Sequence, residues 1–263
     1  MGGTRRLVAH DRVDAVAIAH FEEHGWLLTE LLDPETTVEL RRWVTELEGW
    51  PDSSSEWLHY RELTDDGPKL CRTENFVPFH AGLRTLLTAG VMPETAGALL
   101  GESAVLYKEK VNYKLPGGAG YAPHQDAPAY RFVEVHVSCM VAVDDALVGN
   151  GCLEVVSGAH RELLPTAADG CIRDDIAVDL AWEPVEVRAG QTLWFHSRTP
   201  HRSGPNLGAS PRRAVYPTYN AASEGDLRAE YYRQKLTELA AASDEPDRVA
   251  VSLIGDFQGR PVP

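Results

Sequence analysis

The residues of this sequence whose types and spacing suit chemistry fall in two stretches. The first is Pro123-His124-Gln125-Asp126, shortly after the glycine-rich run Pro116-Gly117-Gly118-Ala119-Gly120. Side chains alternate along an extended segment, so His124 and Asp126 point the same way. An imidazole and a carboxylate so placed, joined by one distant histidine, occupy one face of an octahedral iron and leave the other face open to a co-substrate and oxygen. The triplet alone is a weak signal. Two similar pairs, His20/Glu22 and His160/Glu162, also occur, and the first lies on a helical pattern, where positions i and i+2 do not face each other.

The second stretch is Phe195-His196-Ser197-Arg198-Thr199-Pro200-His201-Arg202-Ser203-Gly204-Pro205-Asn206, followed by the adjacent arginines Arg212 and Arg213. A guanidinium grips a carboxylate through two parallel hydrogen bonds, and a hydroxyl adds a third. Ser203 and an arginine flanking a histidine ligand on neighbouring strands therefore suit the far end of a dicarboxylate. Adjacent strand residues point oppositely, so only one of Arg212 and Arg213 faces such a site. His196 competes with His201, although a histidine at a strand end also reads as a core residue.

These groups need a scaffold, and the pattern predicts a β core behind a helical layer. Residues from about 10 to 100 read as helical: Val13–Gly25, then Asp33-Pro34 to about Leu47, Phe79–Leu87 and Pro93–Leu100. Asp33 suits a cap, and Pro34 suits a first turn. From about 101 to 222 the texture changes to short strands: Ala104–Tyr113, Phe132–Val143, Cys152–Val156, Glu183–Val187, Thr192–His196 and Ala214–Asn220. Strands at this spacing suggest a sandwich or barrel. A closing helix is expected over Asp226–Leu239, with a loosely held tail after Ala240, and residues 1–263 are expected to form one domain. Along the first strand Lys108, Lys110, Asn112 and Lys114 share a face, which is either solvated or lines a pocket.

Composition narrows the function classes. The chain of 263 residues has 25 Lys+Arg against 39 Asp+Glu, a formal charge of −14. Such a field repels phosphate backbones, so nucleic acid is not an expected partner. No run approaches the length of a membrane span, and charges interrupt each apolar run near the N-terminus, so neither a membrane segment nor a secretory signal is expected. The four scattered cysteines form no C-x-x-C pair and read as free thiols of a cytoplasmic protein. The absence of H-E-x-x-H argues against a zinc hydrolase.

The five positions His124, Asp126, His201, Ser203 and Arg212 together resemble the phytanoyl-CoA dioxygenase family of Fe(II)/2-oxoglutarate oxygenases, whose pattern is H-x-D, then a distal histidine with Ser two and Arg eleven residues beyond it. That spacing favours His201 over His196. The stretches Lys108–Gly118, Asn150-Gly151-Cys152-Leu153-Glu154 and Tyr219–Asp226 are similar to a bacterial branch that includes 2-aminoethylphosphonate-type dioxygenases and antibiotic-tailoring oxygenases. The resemblance covers roughly Glu22 to Lys235. It implies a double-stranded β-helix (jelly roll, cupin-like), iron on His124, Asp126 and His201, and 2-oxoglutarate and O2 as co-substrates. Arg212 and Ser203 would hold the far carboxylate of 2-oxoglutarate, with Asn112 and Lys110 nearby. The presence of Asp126 implies a hydroxylase-type reaction, or ring closure, on an unactivated C–H of a small polar metabolite. Two substrate classes stay open: a cationic natural product such as an aminoglycoside intermediate, which the acidic balance would attract, and an aminoalkylphosphonate. For the latter, Lys108, Lys110, Arg72 and Arg131 are the candidate basic cluster. A non-catalytic β-barrel binding module is the contrasting class. The oligomeric state is not legible.

Overall fold

The computed structural model describes residues 8–52, 56–130, 132–242 and 251–262. Its strands are β1 (Trp26–Thr29), β2 (Leu58–Thr64), β3 (Gly67–Glu74), β4 (Ala104–Lys114), β5 (Tyr121–His124), β6 (His136–Ala142), β7 (Leu153–Val155), β8 (Glu183–Val185), β9 (Thr192–His196), β10 (His201–Ser203), β11 (Arg212–Ala221) and β12 (Pro261–Val262). The helices are α1 (Ala15–His24), α2 (Pro34–Glu48), α3 (Ala81–Thr88), α4 (Val91–Leu100), α5 (Asp174–Ala177) and α6 (Arg228–Ala242). None of the described helices is long and apolar enough to cross a membrane.

Local signals account for the helices. Asp14 accepts hydrogen bonds from Val16 N and Ala17 N at the start of α1, and Asp33 accepts from Thr36 N at the start of α2. Each satisfies backbone donors that the helix itself leaves free. In α2, Leu40, Val44 and Leu47 are buried at helical spacing. With Leu83, Leu87, Met92 and Ala96 they cover the back of the larger sheet.

That sheet has eight strands in the order β1-β9-β6-β11-β4-β3-β2-β12, and a four-stranded sheet, β5-β10-β7-β8, faces it. This is the double-stranded β-helix: mostly β, with helices on one side. The strands of the large sheet divide their side chains between two environments. Val111, Tyr113, Val137, Cys139 and Val215 pack under the helices. Met140, Ala142, Leu193, Ala214 and Tyr216 face the small sheet, where Leu153, Val155 and Val185 meet them. Lys108, Lys110, Asn112 and Lys114 alternate with Val111 and Tyr113, so the lysine face points between the sheets; Lys108, Asn112 and Lys114 are buried and Lys110 is half-buried.

Several expectations need correction. Residues 10–100 are not a purely helical layer, because β1, β2 and β3 lie within them. β1 is a four-residue buried run, Trp-Leu-Leu-Thr, whose stability comes from pairing with β9, and a short apolar run has no readable period. β2 and β3 form a hairpin around Asp65-Asp66-Gly67 that extends the large sheet. The Phe132–Val143 strand begins only at His136. The tail is not loose over 251–262: Val251 and Asp256 are buried, and Pro261–Val262 pairs with β2. Its order rests on main-chain bonds to distant elements, which leave no apolar pattern in the sequence. Residues 243–250 and Arg131 lie outside the described residues.

Candidate metal centre

β5 and β10 bring the distant histidine to the H-x-D segment. His201 lies directly opposite His124 in the antiparallel register, with ring centroids 4.1 Å apart. Asp126 follows two residues after His124, where Ala127 N donates to Ser197 O and turns the chain inward. Ligand atoms of His124, Asp126 and His201 all lie within 4.8 Å of one another, and all three residues are buried.

The hydrogen bonds around this group leave the right atoms free. His124 Nδ1 donates to Ala122 O at 2.7 Å, and His201 Nδ1 donates to Thr199 O at 3.0 Å. A carbonyl only accepts, so in each ring Nδ1 carries a proton and Nε2 is the atom left to ligate a metal. Ser138 Oγ donates to Asp126 Oδ2 at 2.8 Å and leaves Oδ1 on the His124 side, 3.9 Å from Nε2. Burial, with the His124 charge next, pushes His201 down to about 4, so it is a neutral donor at neutral pH. Burial works against ionisation of Asp126, but His201, Lys110 and Lys108 outweigh it and hold the carboxyl well below its usual range. Two imidazoles and one carboxylate on one side of a cavity fit a ferrous ion with an open opposite face.

The other predicted residues surround this group. Ser203, Asn112 and Lys110 line the same cavity as the triad. Arg212 is buried beside it: Nη1 donates to the hydroxyl of the cavity-lining Tyr216 at 2.9 Å, and Nη2 donates to Gly151 O at 2.7 Å. Gly151 has φ +76°, and a Cβ there would lie 2.3 Å from Gly204 O, so glycine alone lets that carbonyl approach. Arg212 Nε has no partner. Lys114, opposite Arg212 in register, donates to Ser203 Oγ at 2.8 Å and joins the group that faces Ser203. Arg213 points the other way, paired with Asp144 at 2.7 Å and Glu48 at 2.9 Å. His196 lies outside the cavity: its Nδ1 accepts from Arg198 N, and its ring packs near Phe21 and His160.

Three further groups enter the cavity region. Arg72 is fully enclosed, donating to Asn112 Oδ1 at 3.0 Å, Tyr121 OH at 3.2 Å and Val251 O at 2.5 Å. Lys235 of α6 pairs with Glu74 of β3 at 2.5 Å. Burial opposes the Glu74 charge, yet Lys235 and Arg72 bring it down to about 2. Asp256, from the C-terminal segment, lines the cavity with its Oδ2 3.4 Å from His124 Nε2. No sequence signal pointed to Glu74, Lys235 or Asp256, because each reaches the site through pairings over long chain separations.

A double-stranded β-helix with two histidines and one aspartate converging between its sheets defines a class of non-haem iron oxygenases. The phytanoyl-CoA dioxygenase (PhyH) model matches residues 21–214, and the chain belongs to that family. It is an Fe(II)- and 2-oxoglutarate-dependent dioxygenase acting on a small molecule. A methylphosphonate hydroxylase from Gimesia maris is 48% identical over 236 residues, 89% of this chain and 91% of that protein. A 2-aminoethylphosphonate dioxygenase from an uncultured bacterium (HF130_AEPn_1) is 37% identical over 82% of this chain and 84% of that one. The fold is shared with EctD from S. alaskensis, solved with 2-oxoglutarate and 5-hydroxyectoine, at 18% identity and TM-score 0.71 over 84% of this chain and 81% of that one.

Proposed function

We propose that this enzyme hydroxylates a small alkylphosphonate at the carbon bonded to phosphorus. The observation that carries this reading is a pair of lysines beside the metal triad. Lys108, buried, and Lys110, half-buried, line the cavity, and among the described residues neither has a hydrogen-bond or ion-pair partner. Burial and mutual repulsion lower Lys108 well below its usual range. Burial, then Arg72, brings Lys110 down to about 8. Asp126 and Glu74 act on both lysines from a distance, and two enclosed ammonium groups with no direct partner are costly unless a ligand supplies the anion. A phosphonate does so with charge-assisted hydrogen bonds. The names of two relatives, a methylphosphonate hydroxylase and a 2-aminoethylphosphonate dioxygenase, support the same chemistry. Along β4 the cavity wall is basic, opposite in sign to the −14 of the whole chain. The same cavity must also hold 2-oxoglutarate, which favours a substrate of few atoms.

In this reading His124, Asp126 and His201 hold the iron, and Ser203, Arg212 and Lys114 hold the far carboxylate of 2-oxoglutarate. Together iron, 2-oxoglutarate and O2 supply the oxidant: one oxygen atom enters the C–H bond as hydroxyl, the other enters succinate, and CO2 leaves. The protein does the rest. Ser138 fixes the Asp126 carboxylate, and the Thr199 and Ala122 carbonyls fix both imidazoles. Lys108 and Lys110 orient the phosphonate. Tyr130 and Tyr231, both buried, help exclude water. The four buried free cysteines are in keeping with the cytoplasm. The test is succinate formation with Fe(II), ascorbate and 2-oxoglutarate, with and without methylphosphonate or 2-aminoethylphosphonate. The reading expects a phosphonate-dependent rise of tenfold or more over the background rate, and a rate indifferent to both phosphonates contradicts it.

A further inference from the structure

Asp256 reaches the metal centre from the far end of the chain. The segment carrying it is held from several sides: Gly255 N donates to Asp169 O at 2.8 Å, Ala122 N to Asp256 O at 2.7 Å, and Leu63 N to Arg260 O at 2.8 Å. Arg72 holds its start through Val251 O and Ser252 Oγ. The carboxylate is therefore positioned, and it is 3% exposed. Among the described residues its Oδ1 has no hydrogen-bond partner. Its Oδ2 lies near His124 Nε2, the nitrogen that a bound metal would occupy, so in the loaded site that contact offers no proton.

A buried carboxylate without a donor is unfavourable, as any unpaired buried charge is. Four sources of compensation present themselves. A basic side chain of the cavity is one: Lys110, Arg72 and Lys235 act on its charge from a distance, but none of the described lysines or arginines lies within 4 Å of Asp256 to donate to it, and Lys235 pairs with Glu74. The metal is another, but Asp256 is not in the group whose ligand atoms converge within 4.8 Å. 2-Oxoglutarate has only acceptors to offer. The substrate remains. It must present an anion to Lys108 and Lys110 and a donor to Asp256 in the same cavity, and a buried carboxylate is best matched by a cation.

We infer that Asp256 is a specificity-determining residue that receives an ammonium group of the substrate, so that the preferred substrate is a zwitterionic aminoalkylphosphonate and not a simple alkylphosphonate. This rests on the phosphonate reading above and refines it. The amine of 2-aminoethylphosphonate lies one carbon from the position oxidised. Asp256, close to His124, is on the metal side of the cavity, where that carbon must be held.

The test compares 2-aminoethylphosphonate with n-propylphosphonate, which replaces the ammonium by a methyl group of similar size. A site built to pair a polar group rejects the analogue lacking it by orders of magnitude. The wild-type enzyme is expected to prefer the amine at least a hundredfold in kcat/KM, mostly through KM. In Asp256→Asn that ratio is expected to fall below tenfold, with Mn(II) affinity, measured by calorimetry without substrate, within about threefold of wild type. Equal wild-type efficiency on the two compounds overturns the inference while leaving the phosphonate reading intact. So does a ratio unchanged in Asp256→Asn, or a loss of Mn(II) affinity of tenfold or more, which would make Asp256 part of the metal site. The wild-type ratio decides the matter even if the variant does not fold. Turnover of no phosphonate at all overturns both.

Discussion

His124 and His201, 77 positions apart in the chain, face each other across β5 and β10 with ring centroids 4.1 Å apart. Each turns Nε2 toward the cavity because a main-chain carbonyl two residues earlier holds its Nδ1 proton. The metal geometry is thus written into strand register. Ser138 plays the same part for Asp126 from a third strand. Ser138→Ala should lower Fe(II) affinity about tenfold to a hundredfold, the usual cost of losing a group that orients a ligand. Calorimetric titration of Mn(II) into the two proteins checks this, and equal affinities would remove Ser138 from the metal site.

Arg212 and Arg213 are adjacent, yet they face opposite sides of β11. Arg212→Ala is expected to raise the KM for 2-oxoglutarate about a hundredfold, in line with about 1.5–3 kcal/mol for hydrogen bonds to a charged group. Arg213→Ala breaks the pairs with Asp144 and Glu48 and should lower thermal stability with little effect on that KM. Steady-state kinetics beside thermal melting separates the two outcomes, and the reverse pattern would mean that the strand register is wrong.

Much of this site was legible in the sequence because its signals are local. His124 and Asp126 share one strand segment, and Ser203 and Arg212 stand at fixed distances from His201. The β9 boundaries, Thr192–His196, agree with the short strand read from the sequence. Lys108, Lys110 and Asn112 were legible as one face, but not which way it turned, because that depends on what covers the other face. Val111 and Tyr113 settle it by packing under the helices. The β2–β3 hairpin, Lys235 and Asp256 were not legible. Lys235 and Asp256 owe their places to partners far along the chain, and the hairpin is held in the sheet by β4 and β12, so no short window contains both sides of these pairings.

Lys108 offers an independent handle on substrate charge. Lys108→Met keeps most of the side-chain volume and removes the ammonium that stacks over Tyr130 at 4.4 Å. The phosphonate KM should rise tenfold to a hundredfold, again on the basis of about 1.5–3 kcal/mol for a charged hydrogen bond. The KM for 2-oxoglutarate should stay within about threefold. A rise in the 2-oxoglutarate KM alone would assign Lys108 to the co-substrate.

Acid should destabilise the metal-free protein through buried neutral histidines. Burial, with repulsion from His160 next, pushes His196 down to about 4, and burial pushes His136 down to about 3. Their folded pKa values lie below the unfolded value of about 6.5, so the unfolded chain binds these protons first. The stability they contribute is complete above pH 6.5 and is lost as the pH falls toward 4 and then 3. His196→Gln keeps a side-chain acceptor type for Arg198 N and removes one titrating group. It should flatten the acid limb by about 1–2 kcal/mol between pH 7 and pH 4.5. Urea denaturation at the two pH values measures this, and an unchanged slope would remove His196 from the account.

The central claim is that the oxygen enters beside phosphorus in a cavity whose basic wall opposes the charge of the whole chain. The most direct measurement is 31P NMR of a reaction containing enzyme, Fe(II), ascorbate, 2-oxoglutarate and 2-aminoethylphosphonate, with succinate quantified in parallel. The account predicts one new phosphonate resonance, from the 1-hydroxy product, growing in one-to-one ratio with succinate and absent with Asp126→Ala. An unchanged phosphorus spectrum while succinate accumulates at its background rate would contradict it.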